Sequence, residues 1–147
     1  MPYQPFKGRI PNDRWYCQEH DMWVLETDDG SGELLLGATS FGLFLAGNLV
    51  AFTAKPRGSR IERGRGLGTV ECRKTVLAVH APLSFILTQS NSAAEERPER
   101  INSAPYSHGW MARGKALDWA GERAVLCDAP TYRAHILSID PGACIDD

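Results

Sequence analysis

In ECRKTVLAVHAP, residues 71–82, one lysine lies between two short runs rich in apolar and β-branched residues. Such runs favour strands, and their closeness predicts a tight antiparallel hairpin with Arg73, Lys74 and Thr75 at or near its tip. No Asn-Gly or Gly-Gly pair marks this tip, so a type I turn or a longer loop is expected there. The amine of Lys74 should therefore point into solvent, either as an ordinary turn residue or as a site of chemistry.

The rest of the chain has the pattern of a mainly β protein with a few short helices. Brief strand-like runs broken by Gly, Pro and Asp are predicted at 22–27, 33–37, 48–54, 67–73, 75–80, 84–89 and 109–113. Helices are predicted after Thr39 or Ser40, ending before Gly47, and after Ser92, with Pro98 ending or bending the second one. Two more helical turns should begin at Asp118 and Asp128, and the tail after Pro141 is expected to be frayed.

Composition excludes several classes of function. The chain has 147 residues and a net charge of -2, with 12 Arg and only 4 Lys, so it has no broad electropositive field for nucleic acid or an anionic membrane. No signal-peptide core and no apolar run of about 18 residues is present, which predicts a cytoplasmic protein without a membrane segment. The cysteines form no CxxC pair and the histidines are scattered, so no metal site is expected.

Several stretches together resemble one known family. Besides ECRKTVLAVHAPLSF, they are CQEHDMWVLETDDG, GATSFGLFLAGNLVAF, NSAPYSHGWMARG and the helical region 118–137. In this order they resemble the glycine cleavage system H protein, a lipoyl carrier whose attachment hairpin typically reads ESVKAVSDLYSPVSG. The resemblance covers about residues 14–137. Biotin carriers share this hairpin but resemble A-M-K-M at the lysine, so lipoate is favoured over biotin.

The resemblance implies a fold, a cofactor and a role. The fold would be a flattened barrel-sandwich hybrid of the lipoyl/biotinyl hammerhead type, mainly β with short helices that include C-terminal ones. Residues 1–147 would form a single lipoyl-carrier domain with its core at about 14–137 and a tail at each end. A lipoate-protein ligase would attach lipoate to Lys74 as an amide, and the chain would be a non-catalytic carrier with a swinging arm.

The neighbours of Lys74 have roles that the residues alone leave open. Glu71 would either help to orient the hairpin on the modifying enzyme or be a solvent-facing strand carboxylate. Cys72 could exchange with a lipoyl sulfur, yet alternation along a strand places it on the same face as Val70, which favours an inward, structural position. By the same resemblance, Arg73 and Thr75 would complete the cofactor-binding turn.

Departures from the family pattern bear on the cargo. Cys72, Arg73 and Phe85 differ from the typical residues, His108 replaces an acidic residue before the Gly-Trp pair, and one residue is added in EHDMW. Loss of an acid and gain of Arg73 and His108 suit an anionic cargo better than a cationic amine. The chain thus looks most like the lipoate-binding proteins of the sulfur-oxidising heterodisulfide-reductase-like system. It would then pass sulfane sulfur, as from thiosulfate, to that complex; the alternative is an H protein that carries an aminomethyl group between glycine cleavage enzymes.

Three other readings are weaker. An enzyme with Cys72 as nucleophile and His80 as base, or with Lys74 as a Schiff-base amine, needs contacts or an apolar pocket that a hairpin tip does not provide. The Arg- and Gly-rich run PRGSRIERGRGLG lacks the P-loop pattern and a following helix, and is predicted to be a loop with outward arginines that could contact an acidic partner. A pure interaction module would use the tryptophans as a surface, but most of them lie in segments expected to pack.

Overall fold

The computed structural model describes residues 4–147, in which runs of short strands are interrupted by a few helices. The strands are β1 (Lys7–Arg9), β2 (Trp15–Cys17), β3 (Met22–Glu26), β4 (Leu34–Ala38), β5 (Leu49–Ala54), β6 (Arg60–Ile61), β7 (Gly66–Cys72), β8 (Thr75–His80), β9 (Phe85–Ser90), β10 (Ala112–Ala116) and β11 (Cys144–Asp146). The helices are α1 (Ser40–Ala46), α2 (Ser92–Glu96), α3 (Glu99–Ser103), α4 (Trp119–Glu122) and α5 (Ala129–Ile139), with a 3₁₀ turn at Arg123–Val125.

The strands form three separate sheets. The largest has six strands in the order β2-β3-β4-β10-β9-β6, and the second has three in the order β5-β7-β8. Strands β1 and β11 pair in parallel as a two-stranded ribbon. The predicted mainly β fold with short helices is therefore confirmed, and in the part of the chain described here the sheets do not close into a barrel.

The main core lies between the six-stranded and the three-stranded sheets. Leu36 and Leu87 from the larger sheet pack in one buried cluster with Phe52, Leu67 and Val70 from the smaller sheet. Each of these side chains contributes about 1.5–3 kcal/mol by leaving water. This cluster holds the smaller sheet, and with it the 71–82 hairpin, against the body of the protein.

A second cluster packs on the other side of β2 and β3 and brings distant motifs together. Trp23, from the EHDMW stretch, lies over Gly37, where an added Cβ would be 2.5 Å from the indole ring. The indole Nε1 donates a hydrogen bond to the carbonyl of Pro105 at 3.1 Å, and Tyr106 packs beside the ring. Three of the stretches that carry the family resemblance thus meet around one tryptophan and have a structural role there.

Most predicted elements are present, with a few differences. Thr39 caps α1 and Gly47 ends it, and Asp118 and Asp128 cap α4 and α5, as predicted. The helix expected after Ser92 is capped instead by Asn91 and is split at Pro98 into α2 and α3. The strand predicted at 109–113 lies at Ala112–Ala116.

The prediction of a frayed tail after Pro141 is wrong. Residues 144–146 form β11 on β1, and a buried hydrogen bond of 2.7 Å joins the Phe6 amide to Asp140 Oδ2. The sequence reading missed this strand because its partner, β1, lies more than 130 residues earlier and is only three residues long.

Within residues 4–147, none of the helices has the length and apolar character needed to cross a bilayer.

Candidate functional site

The hairpin of residues 71–82 is as tight as the sequence predicts. Cys72 pairs with Thr75 and Glu71 pairs with Val76, so the loop consists of Arg73 and Lys74 alone. Among the described residues, Asp21 is the only non-glycine residue with a positive φ angle. Primed hairpin turns require a positive φ in the loop, so the turn is of the non-primed kind, as predicted.

Lys74 lies at the exposed end of this hairpin. Its side chain is exposed, and it makes no hydrogen bond or ion pair with any residue from 4 to 147. Arg73 beside it is also exposed, as are Thr75 and Val76 on the outgoing strand. The Lys74 amine is therefore accessible to a modifying enzyme from several directions.

The other residues proposed for the site divide between the two faces of the hairpin. Glu71 is exposed on β7, opposite Val76. Cys72 is half-buried and packs against the main core, which confirms its predicted inward position beside Val70. His80 pairs with Gly66 at the far end of the strands, so the structure does not bring Cys72 and His80 together.

A glycine allows the root of the hairpin to pack closely. Gly68 in β7 lies against β5, and a Cβ there would collide with the carbonyl oxygen of Thr53 and approach the Cα of Ala54 to 2.9 Å. Gly66, two residues earlier, has its nearest neighbour, Ala78 Cβ, at 3.7 Å. The close approach at Gly68 fixes the direction in which the hairpin leaves the body.

An open cleft of about 300 Å³ lies beside the hairpin, between β8 and α1. Leu77 and Ala78, three and four residues after Lys74, line one wall, and Leu43 and Leu45 of α1 line another. Its polar side chains are His20, Asp21 and His80. The cleft was not predicted from the sequence because its walls come from segments that only the tertiary fold brings together. The apolar run after Lys74 was the sequence feature that could have indicated it.

Asp21, the carboxylate in the cleft lining, is held by a chain of hydrogen bonds. Because a carboxylate only accepts, Tyr132 Oη donates to Asp21 Oδ1 at 2.8 Å and must accept from Thr39 Oγ1, which lies 2.7 Å away. Thr39 Oγ1 in turn accepts from the Gly42 amide at the start of α1. Burial raises the pKa of Asp21, while the Tyr132 hydrogen bond opposes that shift.

Two stacked histidines lie at one end of the cleft. The rings of His20 and His80 are 4.8 Å apart with an angle of 20° between their planes. His80 Nδ1 is 2.8 Å from the carbonyl of Gly64, so a proton on Nδ1 would be donated to that oxygen. Burial lowers the pKa of His20. The stack joins the end of β8 to the turn before β3.

Arg73 and His108 are not part of the cleft. Arg73 is at the hairpin tip and His108 is in the loop after α3, where its carbonyl accepts a hydrogen bond of 2.8 Å from Asn91 Nδ2. Neither residue lines the cleft wall. The idea that these two side chains together set the charge around the cargo therefore gains no support from the geometry.

The sequence also matches a known family model over residues 14–138, and that model describes the glycine cleavage H-protein. The match spans most of the chain and includes the hairpin, the residues that line the cleft and most of the second core cluster. The chain belongs to the glycine cleavage H-protein family.

Relatives within this family cover most of the chain. The glycine cleavage system H protein of Thermus thermophilus is 33% identical over 124 residues, which are 84% of this chain and 93% of that protein. The H protein of Mycolicibacterium vanbaalenii is 33% identical over 131 residues, 88% of this chain and 98% of that protein. A crystal structure of the Mycobacterium marinum H protein matches with a TM-score of 0.73 and 28% identity, over 85% of this chain and 97% of that one.

Family membership establishes what kind of protein this is. H proteins are non-catalytic carriers that hold lipoate covalently on a lysine. The residues of this chain fit such a group, because an exposed amine at the tip of a short, firmly paired hairpin can be acylated without disturbing the core. This confirms the predicted class of cofactor and the non-enzymatic role.

Proposed function

We propose that the chain is the lipoyl carrier of a glycine cleavage system, with the lipoyl group on Lys74. The observation that carries the proposal is the exposed Lys74 amine, which has no partner among residues 4–147 and lies at the tip of a two-residue hairpin, in a chain of the H-protein family. The bound group would supply a disulfide that can be reduced and loaded, on a long flexible tether. Residues 14–137 would form the carrier domain, and the protein would work in the cytoplasm.

The neighbours of Lys74 support this role in different ways. Glu71 would help the ligase to recognise the hairpin, since its carboxylate is exposed within three residues of the target amine. Arg73 and Thr75 flank the lysine and complete the turn. Cys72 faces the core, which argues for a packing role and against exchange with the arm.

We place the cargo end of the arm in the cleft beside β8. The cleft begins three residues after Lys74, about 10 Å along the strand, and its apolar walls suit a hydrocarbon tether. The carboxylate of Asp21 supplies a negative charge for a cationic amine, and one of its oxygens is already fixed by Tyr132. The partners are then the lipoate-protein ligase and the glycine cleavage enzymes.

Intact-mass spectrometry tests the attachment site. After incubation with a lipoate-protein ligase, ATP and lipoate, the parent chain should gain the mass of one lipoyl group. Lys74→Arg keeps the positive charge at the tip and should gain nothing, whereas the control Lys115→Arg should be modified as the parent is. Modification of Lys74→Arg would show that another amine carries the group.

Reconstitution tests the pathway. The lipoylated chain, mixed with purified glycine cleavage enzymes and glycine, should support release of CO₂, and the Lys74→Arg variant should not. A fully lipoylated chain that supports no turnover would refute the glycine cleavage role while leaving the attachment site intact.

A sulfur carrier for a heterodisulfide-reductase-like complex is the second candidate, and one feature of the cleft favours it. Where the family hairpin pattern has Ser-Asp, this chain has Leu77 and Ala78, and both line the cleft. The cleft therefore offers a protonated amine fewer polar contacts, and Asp21 is already bound to Tyr132. The comparisons give better support to the glycine cleavage role.

The double substitution Leu77→Ser and Ala78→Asp separates the two candidates. In a glycine cleavage carrier the added carboxylate should lengthen the lifetime of the aminomethyl-loaded form severalfold, because it adds an attraction for the amine. If the chain is instead a sulfur carrier, the sulfur-oxidising complex should use the unsubstituted chain as a substrate, and the double substitution should lower the rate of that reaction. Leu77→Ser with Ala78→Ser is the uncharged control.

A further inference from the structure

Residues 55–65, called here the basic segment, carry an unusual concentration of charge. They contain Lys55 and four arginines, Arg57, Arg60, Arg63 and Arg65, with Glu62 as the single acid. All five cationic side chains are exposed or half-buried. The segment has a net charge of +4 in a chain of net charge -2, so the remaining residues together carry -6.

The backbone of the basic segment is firmly attached to the body. Lys55 N donates to Leu67 O at 2.9 Å and Gly58 N donates to Leu87 O at 2.7 Å. Further along, Gly64 N donates to Ala81 O, and Ala81 N donates to Arg65 O, both at 2.8 Å. The cations are therefore displayed from a fixed platform rather than from a loose loop.

The stability of the fold does not explain these charges. Arg60 pairs with Glu62 at 3.2 Å and Arg63 with Glu122 at 3.8 Å, and the arginines are 65% and 43% exposed in these pairs. Ion pairs this exposed contribute little to stability and are screened by salt. Lys55, Arg57 and Arg65 form no ion pair with any residue between 4 and 147.

The basic segment borders the site. The carbonyl of Gly64 contacts His80 Nδ1, and His80 with His20 forms one end of the cleft. Arg65 immediately precedes β7, whose seven residues run about 20 Å to the turn that holds Lys74. A protein that covers the cleft from this end would meet the arginines while its active site faced the arm.

We propose that the basic segment is a docking surface for an acidic patch on the enzymes that act on the arm. It contains no aromatic residue on which a nucleic-acid base could stack, and no exposed large apolar side chain that could enter a bilayer. A protein surface of opposite charge is the partner that fits these features. Such complementarity speeds association and fixes the orientation of the complex. The inference rests on the carrier role proposed above.

Charge reversal tests the docking surface. Arg57→Glu with Arg65→Glu changes two cations of the segment that form no ion pair within the described part of the chain. Lys7→Glu with Lys115→Glu makes the same change in charge at exposed sites elsewhere. Each lipoylated variant is assayed as the substrate of purified glycine cleavage enzymes at about 20 mM and about 200 mM NaCl. The segment variant should show a KM raised about tenfold at low salt with kcat unchanged, and a weaker dependence of KM on salt.

The controls separate the possible outcomes. Equal KM values for the segment variant and the parent, or an equal rise in the Lys7/Lys115 control, would overturn the proposal. If the lipoylated parent supports no turnover, the glycine cleavage role fails, and titration of the ¹⁵N-labelled chain with a peptide of ten glutamates decides the docking surface. Chemical-shift changes confined to residues 55–65 and lost in the segment variant support it; changes elsewhere, or tighter binding of a DNA duplex, overturn it.

Discussion

At the scale of single residues, the hydroxyl group of Tyr132 joins three parts of the molecule. It donates to Asp21 in the cleft, accepts from the α1 cap Thr39, and belongs to a ring that stacks on Tyr16 at 4.8 Å. Helix α5 therefore positions both the cleft carboxylate and the start of the helix that forms a cleft wall.

Tyr132→Phe should reveal this coupling. It keeps the ring and its stacking but leaves the Thr39 hydroxyl proton without an acceptor and Asp21 Oδ1 without a donor, so the free energy of unfolding should fall by about 1–3 kcal/mol. The pKa of Asp21, already raised by burial, should rise further because the hydrogen bond that opposes the shift is lost. Urea denaturation and NMR titration of the Asp21 carboxyl measure the two effects; an unchanged Asp21 pKa would show that the hydroxyl does not control this group.

The site divides into a part that sequence could predict and a part that it could not. Lys74 and its turn follow from a local pattern, because both strands of the hairpin lie within a few residues of the lysine. Asp21 and Tyr132 are 111 residues apart, and His20 and His80 are 60 apart, so only the packed structure brings them together. Most tryptophans were expected to pack, as Trp23 does, but its contacts with Gly37 and Pro105 could not be predicted from the sequence.

Among the strands, the hairpin depends on the close contact between β7 and β5. Gly68→Ala would push a methyl group against the Thr53 carbonyl and should cost about 1–3 kcal/mol of stability. Gly66→Ala is the matched control, since its nearest neighbour is 3.7 Å away, and it should cost clearly less. Thermal unfolding compares the two variants, and equal losses would show that β7 can move away from β5 without cost.

The histidine stack should make the attachment of β8 depend on pH. Because the pKa of His20 is lowered in the folded protein, its contribution to stability is lost as the pH falls below the unfolded value of about 6.5. The charged groups that act on it are Glu19 and Asp21, which favour protonation, and His80 and Arg63, which oppose it.

Comparison of variants separates the effect of His20 from that of other titrating groups. Asp21 is one of these, and its raised pKa makes stability change with pH in the opposite direction. The parent should lose more unfolding free energy than His20→Gln between pH about 7.5 and about 5.5. His108→Gln, at an exposed loop position, should lose as much as the parent. A parallel loss in the parent and His20→Gln would mean that the stack does not titrate in this range.

In the molecule as a whole, the sheet that carries Lys74 is separate from the ribbon formed by β1 and β11. The arm hairpin belongs to the sheet β5-β7-β8, whereas β1 and β11 form a two-stranded sheet of their own among the described strands. Sequence predicted the mainly β class and most strands from local alternation. It could not predict the parallel ribbon, whose two short strands have no local signal and depend on contact between remote segments.

Removal of residues 143–147 tests this separation. The deletion removes β11 and the hydrogen bonds from Cys144 N to Phe6 O and from Ile10 N to Asp146 O, both 2.8 Å. The unfolding free energy should fall by about 1–3 kcal/mol, while the rate of lipoylation of Lys74 stays within about twofold of the parent at a temperature where both are folded. A large loss of lipoylation would show that the ribbon supports the arm hairpin.

The outer edge of β8, next to the site, creates a risk of self-association. Among residues 4–147 no strand pairs with that side of β8, and Val76 and Leu77 are 59% and 41% exposed, so the edge is a template on which a second copy could add a strand. Arg73 and Lys74, in the turn before β8, carry positive charges that discourage the addition of a strand. Acylation converts the Lys74 cation into a neutral amide, so the mature carrier gives up half of that protection and should self-associate more readily in concentrated solution than its unmodified precursor.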